Sequence, residues 1–214
     1  MDIIQTLGNA GVIPVIVLEE EAQAVPLAKA LVAGGLPVLE VTFRTKAAAG
    51  AIAAIRREVP EATVGAGTLL SPEMVKDAKA AGAAFGVAPG FDPAVVAAAK
   101  AEGLPMCPGI ATASELSQAL SAGCRLVKFF PAEAAGGVKM IKNLLGAFRF
   151  TGVKFMPTGG VNLSNVADYL AVPEIVCCGG TWIVPKDALA IGDFRAIEKL
   201  AREAADIAAR FRAA

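Results

Sequence analysis

A lysine inside an apolar segment is the residue of this sequence with the clearest chemical potential. Lys128 lies between Val127 and Phe129 in a run typical of a strand buried on both faces, and Pro131 ends the run because it has no N–H group to donate. We therefore expect Lys128 to be buried. Burial favours the neutral amine over the ammonium ion, and a neutral amine can attack a carbonyl and form a Schiff base. Alternatively, the side chain extends from the strand end and keeps its ammonium in water.

The absence of histidine from all 214 residues restricts the chemistry further. It excludes Ser-His-Asp and Cys-His nucleophilic catalysis and the usual transition-metal sites. The four cysteines, Cys107, Cys124, Cys177 and Cys178, lack the spacing of a metal site, and we interpret them as buried free thiols.

Charge and hydropathy favour a small-molecule partner. Twenty basic residues balance twenty acidic ones and 55% of the residues are hydrophobic, with no basic run, which argues against nucleic acid or an anionic membrane as the main partner. The apolar run 12–18 is too short to span a bilayer, and the N-terminus lacks the basic region of a signal peptide. We therefore expect a cytoplasmic protein.

The elements that must position Lys128 alternate between strand and helix. After a short helix over 1–9, strands are predicted at 12–18, 37–43, 62–68, 84–88, 104–107, around Lys128, at 153–156 and at 175–178. Helices are predicted at 20–32, at 46–58, after caps at Ser71, at Asp92, at Thr112 or Ser114, after Asn162 and at 194–211. Pro14 is unusual inside a strand and is tolerated at a sheet edge or bulge.

Eight strand–helix units predict an α/β fold, a closed (β/α)8 TIM barrel in which residues 1–214 form a single domain. An open doubly wound sheet is the alternative. It fits less well, because no GxGxxG motif follows the first strand.

In such a barrel the working residues lie at the C-terminal ends of the strands. Polar or glycine residues interrupt the apolar pattern at these positions, namely Glu40, Arg44, Thr68, Lys128, Thr158-Gly159-Gly160 and Gly179-Gly180-Thr181. Buried Glu40 suits a general acid or base, although an ion pair with Arg44 or Lys128 explains it equally well. The two glycine pairs lie after the last two strands, where barrels often bind a phosphate with backbone N–H groups.

The motifs Glu40-Val41-Thr42-Phe43-Arg44-Thr45, Gly65-Ala66-Gly67-Thr68, Pro89-Gly90, Lys128-Phe129-Phe130-Pro131-Ala132-Glu133, Pro157-Thr158-Gly159-Gly160 and Gly179-Gly180-Thr181-Trp182 closely resemble those of the 2-keto-3-deoxy-6-phosphogluconate (KDPG) aldolase family. The resemblance covers nearly the whole chain. It implies a class I aldolase, a homotrimer that needs no metal or other cofactor and serves the Entner–Doudoroff pathway.

The resemblance also assigns roles. Lys128 matches the Schiff-base lysine, Glu40 the general acid/base, and Arg44 and Thr68 the positions that hold the pyruvate carboxylate. Gly159, Gly160, Gly180 and Thr181 match the phosphate site, and Pro89, Phe130, Thr158 and Gly179 complete the expected substrate contacts. Thr181 stands where serine is expected and Phe43 where leucine is common, and either departure affects preference for the aldehyde half of the substrate.

The expected partners are a phosphorylated keto acid, pyruvate and glyceraldehyde 3-phosphate. Two other keto-acid substrates stay open, 4-hydroxy-2-oxoglutarate and the galactonate-derived epimer of KDPG. A phosphate-binding isomerase or epimerase fits less well, because many of those need histidine or a metal. The alanine-rich helices also allow a subunit whose main task is assembly.

Overall fold

The computed structural model describes residues 2–212, in which parallel strands alternate with helices. The strands are β1 (Val12–Ile16), β2 (Val38–Thr42), β3 (Thr63–Gly67), β4 (Gly86–Val87), β5 (Met106–Cys107), β6 (Gly109–Ile110), β7 (Leu126–Phe129), β8 (Lys154–Pro157) and β9 (Cys178–Gly180). The helices are α1 (Ile3–Ala10), α2 (Ala24–Ala33), α3 (Ala48–Glu58), α4 (Pro72–Ala80), α5 (Pro93–Ala101), α6 (Ala113–Ser121), α7 (Gly137–Phe148), α8 (Val166–Leu170), α9 (Lys186–Ala190) and α10 (Phe194–Arg212). Short 3₁₀ helices cover Glu21–Gln23 and Arg149–Thr151.

The strands close into a barrel. One sheet has the order β5-β4-β3-β2-β1-β9 and the other β6-β7-β8, and only Pro108 separates β5 from β6. Parallel bridges from Phe155 to Ile175 and from Thr158 to Gly179 join β8 to the β9 side. The predicted (β/α)8 barrel is therefore confirmed, with its fifth strand interrupted at Pro108.

Several predicted boundaries move in the structure. The leading helix covers Ile3–Ala10, whereas Met1 lies outside the described residues. The helix expected over 20–32 begins as a 3₁₀ turn and becomes α-helical at Ala24. The eighth strand forms its ladder at Cys178–Gly180 rather than over 175–178. No bounds were predicted for α7, and α9 was not predicted.

The expectation that Pro14 lies at a sheet edge or a bulge is wrong. β1 lies inside the sheet, with β9 on one side and β2 on the other. Val12, Ile13 and Pro14 pair with β9, whereas Val15 and Ile16 pair with β2. The missing N–H of the proline falls where the pairing changes partner, so an interior strand can hold it.

Three of the helix starts follow the predicted capping chemistry. Ser71 Oγ accepts a hydrogen bond from the Met74 N–H at 3.3 Å, and Asp92 Oδ1 accepts one from the Ala94 N–H at 2.7 Å. Thr112, not Ser114, caps α6 through a capping box with Glu115. The helix after Asn162 begins at Val166, four residues later.

Inward-facing side chains fill the barrel below its C-terminal end. This lower core comprises Leu7, Ala10, Ile13, Val38, Phe85, Val87, Cys107, Leu126, Met156 and Cys177. Leu7 and Ala10 belong to α1, so this helix closes the N-terminal end of the barrel. Because side chains alternate along a strand, the residues two positions after Val38 and Leu126 also point inward, one layer higher. Those residues are Glu40 and Lys128.

Truncating the α1 side chain that closes the barrel should destabilise the protein. Leu7 is fully buried, so Leu7→Ala should lower the free energy of unfolding by about 2–5 kcal/mol, measured by urea denaturation. Gln5→Ala, on the exposed face of the same helix, should change it by less than about 0.5 kcal/mol. An equal effect of both substitutions would contradict the role given to α1.

Candidate active site

Glu40 on β2 and Lys128 on β7 meet across the barrel interior. Lys128 Nζ lies 3.4 Å from Glu40 Oε1, and the two side chains are 5% and 0% exposed. The expectation that Lys128 is buried is confirmed, and the alternative of an ammonium kept in water is wrong. Glu40 pairs with Lys128 rather than with Arg44.

A glycine on the neighbouring strand β3 makes room for the Glu40 carboxylate. Glu40 lies beside Gly65 in the ladder, and Gly67 follows two residues later on the same face of β3. A Cβ atom on Gly67 would lie only 2.2 Å from Glu40 Oε1. The carboxylate therefore occupies space that a side chain at position 67 would fill. This role of Gly67 escaped the sequence analysis, although glycines spaced by two in a strand were a signal that one face of β3 carries no side chains.

Two buried oxygens near the pair have no hydrogen-bond partner among residues 2–212. They are Glu40 Oε2 and Thr158 Oγ1. Burying such a group without a partner costs about 1–3 kcal/mol, so it deserves a functional explanation. Thr158 follows β8, next to the strand that holds Lys128, and its N–H donates to the Phe129 carbonyl at 3.0 Å. Both oxygens are thus candidates for contact with a ligand.

Phe130 and Pro89 border the candidate site. The Phe130 ring centroid lies 5.3 Å from Lys128 Nζ, within the range of a cation–π interaction. Pro89 follows β4, and its carbonyl group would lie 2.2 Å from a Cβ on Gly109. Both side chains are half-buried. Phe130 can therefore contact a group bound to the Lys128 amine, whereas Pro89 packs against Gly109 of β6.

Thr68 and Arg44 lie after β3 and β2, on the same end of the barrel. Thr68 has a φ of +60°, which is rare and unfavourable for a β-branched residue. Backbone strain of this kind clusters at binding sites, where it fixes a side chain in one direction. Arg44 is exposed, and its side chain makes no hydrogen bond or ion pair within the described part of the chain. Its guanidinium is free to meet an anion.

The glycine pairs lie side by side. Gly159 and Gly160 have φ values of 98° and 81°, a region that favours glycine. A Cβ on Gly179 would lie 2.3 Å from Thr158 Oγ1, and one on Gly180 would lie 1.8 Å from the ring of Trp182. The bridge between Thr158 and Gly179 joins the two loops, and exposed Thr181 follows directly. The structure thus brings both segments to one side of the barrel mouth.

The buried thiols do not compete with Lys128 as nucleophiles. All four cysteines are free and buried, as predicted. Burial raises the pKa of the Cys107 and Cys177 thiols above the usual range, so both stay protonated at neutral pH.

Comparison with known proteins places this architecture in a family. The family model described as "Aldolase: KDPG and KHG aldolase" matches residues 3–200. The chain belongs to the KDPG and KHG aldolase family. Resemblance and family model therefore agree, and the protein is an aldolase, a lyase.

Similar proteins cover nearly the full length of the chain. It is 51% identical to the KHG/KDPG aldolase of Escherichia coli (strain K12), over 94% of this chain and 93% of that protein. It is 49% identical to the 2-dehydro-3-deoxy-phosphogluconate aldolase of Treponema pallidum (strain Nichols), over 96% of this chain and 97% of the relative. A crystal structure of Legionella pneumophila KDPG aldolase, with pyruvate captured as a covalent carbinolamine intermediate, superposes with a TM-score of 0.89 and 42% identity, over 93% of this chain and 96% of the other.

A side chain at position 67 should displace the Glu40 carboxylate and slow this aldolase. We expect Gly67→Ala to lower kcat by about two orders of magnitude, because a shift of about 1 Å in a catalytic group has that effect. Steady-state kinetics with KDPG measures the change. Gly146→Ala is the matched control, since a Cβ there meets nothing within 4 Å. A fully active Gly67→Ala protein would show that the position of Glu40 is not critical.

Proposed function

We propose that this protein is a class I aldolase that cleaves 2-dehydro-3-deoxy-6-phosphogluconate (KDPG) reversibly to pyruvate and D-glyceraldehyde 3-phosphate. The observation that carries the proposal is the buried amine of Lys128, 3.4 Å from the Glu40 carboxylate at the C-terminal end of the barrel. In this proposal residues 1–214 act as one aldolase domain, with Lys128 and Glu40 as its catalytic residues.

The first half of the reaction joins substrate and enzyme. The Lys128 amine attacks the C2 ketone of KDPG and forms a carbinolamine. Glu40, acting through a water molecule, supplies the proton that lets the hydroxyl leave as water, which gives a protonated Schiff base. The positive nitrogen then serves as an electron sink beside C3.

The second half breaks the carbon–carbon bond. A base, for which Glu40 is the candidate, removes the proton of the C4 hydroxyl, and the C3–C4 bond electrons move to C3 as the enamine forms. C4 becomes the aldehyde of glyceraldehyde 3-phosphate, which leaves. Protonation of C3 and addition of water at C2 then release pyruvate and restore the free amine. Every step is acid–base or nucleophilic chemistry, which side chains can supply.

Different residues around the Lys128–Glu40 pair bind different parts of the substrate. Arg44 and Thr68 hold the carboxylate of the keto acid, since a free guanidinium and a fixed hydroxyl suit that group. Thr158 and Phe130 lie beside the amine and contact the carbon chain, and Pro89 borders the same side. Gly159, Gly160, Gly179, Gly180 and Thr181 bind the phosphate at the far end, where backbone N–H groups can approach closely.

The cellular setting belongs to the same proposal. We take the protein to be a cytoplasmic homotrimer in the Entner–Doudoroff pathway, as its resemblance to the family implies. In the described residues, no helix has the length and apolar character needed to cross a membrane. Size-exclusion chromatography with light scattering tests the trimer, and a very large closed particle would instead support the assembly alternative.

Removing the amine should abolish covalent trapping and turnover together. Borohydride reduction in the presence of pyruvate should leave one 1-carboxyethyl group, from the reduced imine, on the wild-type chain, in the peptide that contains Lys128. Lys128→Ala should give no adduct, and kcat should fall by about 10⁴-fold or more, because the nucleophile is lost. A control with Lys139→Ala, an exposed lysine of α7, should keep the adduct. An active Lys128→Ala enzyme, or an adduct on another lysine, would overturn the mechanism.

Arg44→Ala should mainly weaken binding of the keto acid. Loss of a charged hydrogen bond of about 1.5–3 kcal/mol should raise the KM for KDPG by roughly 10- to 100-fold, with kcat changed much less. Arg57→Ala, on the exposed face of α3, serves as the matched control. If Arg44→Ala lowers kcat and leaves KM unchanged, Arg44 does not bind the ground-state substrate.

A second substrate has support of its own. The E. coli relative bears the name KHG/KDPG aldolase, and 4-hydroxy-2-oxoglutarate would use the same lysine with a different aldehyde partner. The galactonate-derived epimer of KDPG differs only in the configuration of one carbon. Comparing kcat/KM for the three substrates ranks them.

A further inference from the structure

Glu133 ends the motif that contains Lys128, yet the proposed reaction gives its carboxylate no task. Glu133 Oε1 accepts a hydrogen bond from the hydroxyl of Tyr169, which is the only tyrosine of the chain and is 1% exposed. Glu133 itself lies at the surface. A buried hydroxyl on α8 thus holds a carboxylate that would otherwise move freely in solvent.

The Tyr169 hydroxyl is suited to be a permanent donor. Burial, and then the hydrogen bond to Glu133, raise the pKa of Tyr169 above its ordinary value. The hydroxyl therefore keeps its proton at neutral pH. The start of α7 lies close to both groups, since a Cβ on Gly137 would be 3.3 Å from Glu133 Oε1 and 3.5 Å from the Tyr169 oxygen.

Glu133 lies directly against the glycine loop after β8. Its N–H donates to the Gly159 carbonyl at 3.0 Å, and the N–H of Ala132 donates to the Thr158 carbonyl at 2.8 Å. A Cβ on Gly160 would lie 2.6 Å from Glu133 Cβ and Cγ. Gly160 therefore packs directly against the aliphatic part of the Glu133 side chain.

The carbonyl oxygen of Gly160 also accepts hydrogen bonds, in this case from two side chains. The Asn162 and Asn165 side-chain amides both donate to it at 3.1 Å. The carbonyls of three successive residues, Thr158 to Gly160, thus accept hydrogen bonds from protein groups. Carbonyl oxygens repel anions, whereas N–H groups attract them. Because these hydrogen bonds fix the orientation of the three carbonyls, they determine whether an anion beside the loop meets carbonyl oxygens or N–H groups.

We propose that Glu133 and Tyr169 form a brace that positions the Gly159–Gly160 backbone for the substrate phosphate and so sets the preference for phosphorylated over unphosphorylated keto acids. The inference rests on the proposed function, of which it explains the substrate preference. Neither residue touches the reacting atoms, and both are positioning residues.

Two variants remove the brace and one keeps it. Tyr169→Phe removes the hydroxyl that donates the hydrogen bond but keeps the buried ring. Glu133→Ala removes the carboxylate that accepts it and the aliphatic group that packs against Gly160. For both we expect the KM for KDPG to rise about tenfold with kcat within about twofold, as for a lost ground-state contact. Glu133→Gln keeps an acceptor oxygen and the aliphatic stem, and it should behave like the wild type.

Unphosphorylated 2-keto-3-deoxygluconate separates the brace from a general structural role. Its kcat/KM should not change in Tyr169→Phe or Glu133→Ala, because it has no phosphate to place. Glu198→Gln is the matched control, since it alters an exposed ion pair with Arg202 on α10 and should affect neither substrate. Equal losses with both substrates would overturn the proposal, as would wild-type KM values in Tyr169→Phe. If Glu133→Ala fails to fold by circular dichroism, Tyr169→Phe decides alone.

A binding measurement keeps this test independent of turnover. Isothermal titration calorimetry with inorganic phosphate should give a Kd about tenfold higher in Tyr169→Phe than in the wild type. An unchanged Kd would contradict the brace. Borohydride trapping with pyruvate should succeed equally in wild type and Tyr169→Phe. Trapping that fails in the wild type as well would refute the proposed aldolase mechanism, and the phosphate titration would still test the brace.

Discussion

The structure depends on holding an amine and a carboxylate together inside a barrel whose interior is otherwise apolar. Lys128 and Glu40 come from strands on opposite sides of the barrel, and the pair is almost entirely excluded from water. Such a pair adds little net stability, because desolvation of both charges offsets much of their attraction. Its retention is better explained by chemistry. An amine at 3.4 Å from a carboxylate has a proton donor and acceptor at hand.

Apolar packing elsewhere in the barrel stabilises the fold enough to hold this pair. The lower core is closed by Leu7 and Ala10 of α1, and the strands pack outward against the helices. The polar layer with Glu40, Lys128 and Thr158 lies above that core. This separation is typical of such barrels, in which the N-terminal half contributes stability and the C-terminal rim carries the active site.

The sequence predicted the barrel because its eight apolar strand patterns and its capping residues are local signals. Lys128 stood out for the same reason, as a charge within an apolar strand. Other features depend on contacts between distant segments. Nothing local shows that Gly67 leaves space for Glu40, that Tyr169 reaches Glu133, or that Pro14 falls where β1 changes partner. The broken fifth strand likewise follows from Pro108 only once the neighbouring strands are known.

The short motif from Lys128 to Glu133 links the two halves of the candidate site. At one end the strand carries the amine, and at the other the chain turns away and its backbone N–H groups hold the carbonyls of Thr158 and Gly159. Phe130 lies between them, near the amine on one side and Gly159 on the other. Under the proposed function, six consecutive residues and one neighbouring loop therefore set the distance between the reacting carbon and the phosphate. A substrate whose keto group and phosphate match that spacing would engage both ends at once, whereas a shorter or unphosphorylated keto acid would engage only the amine.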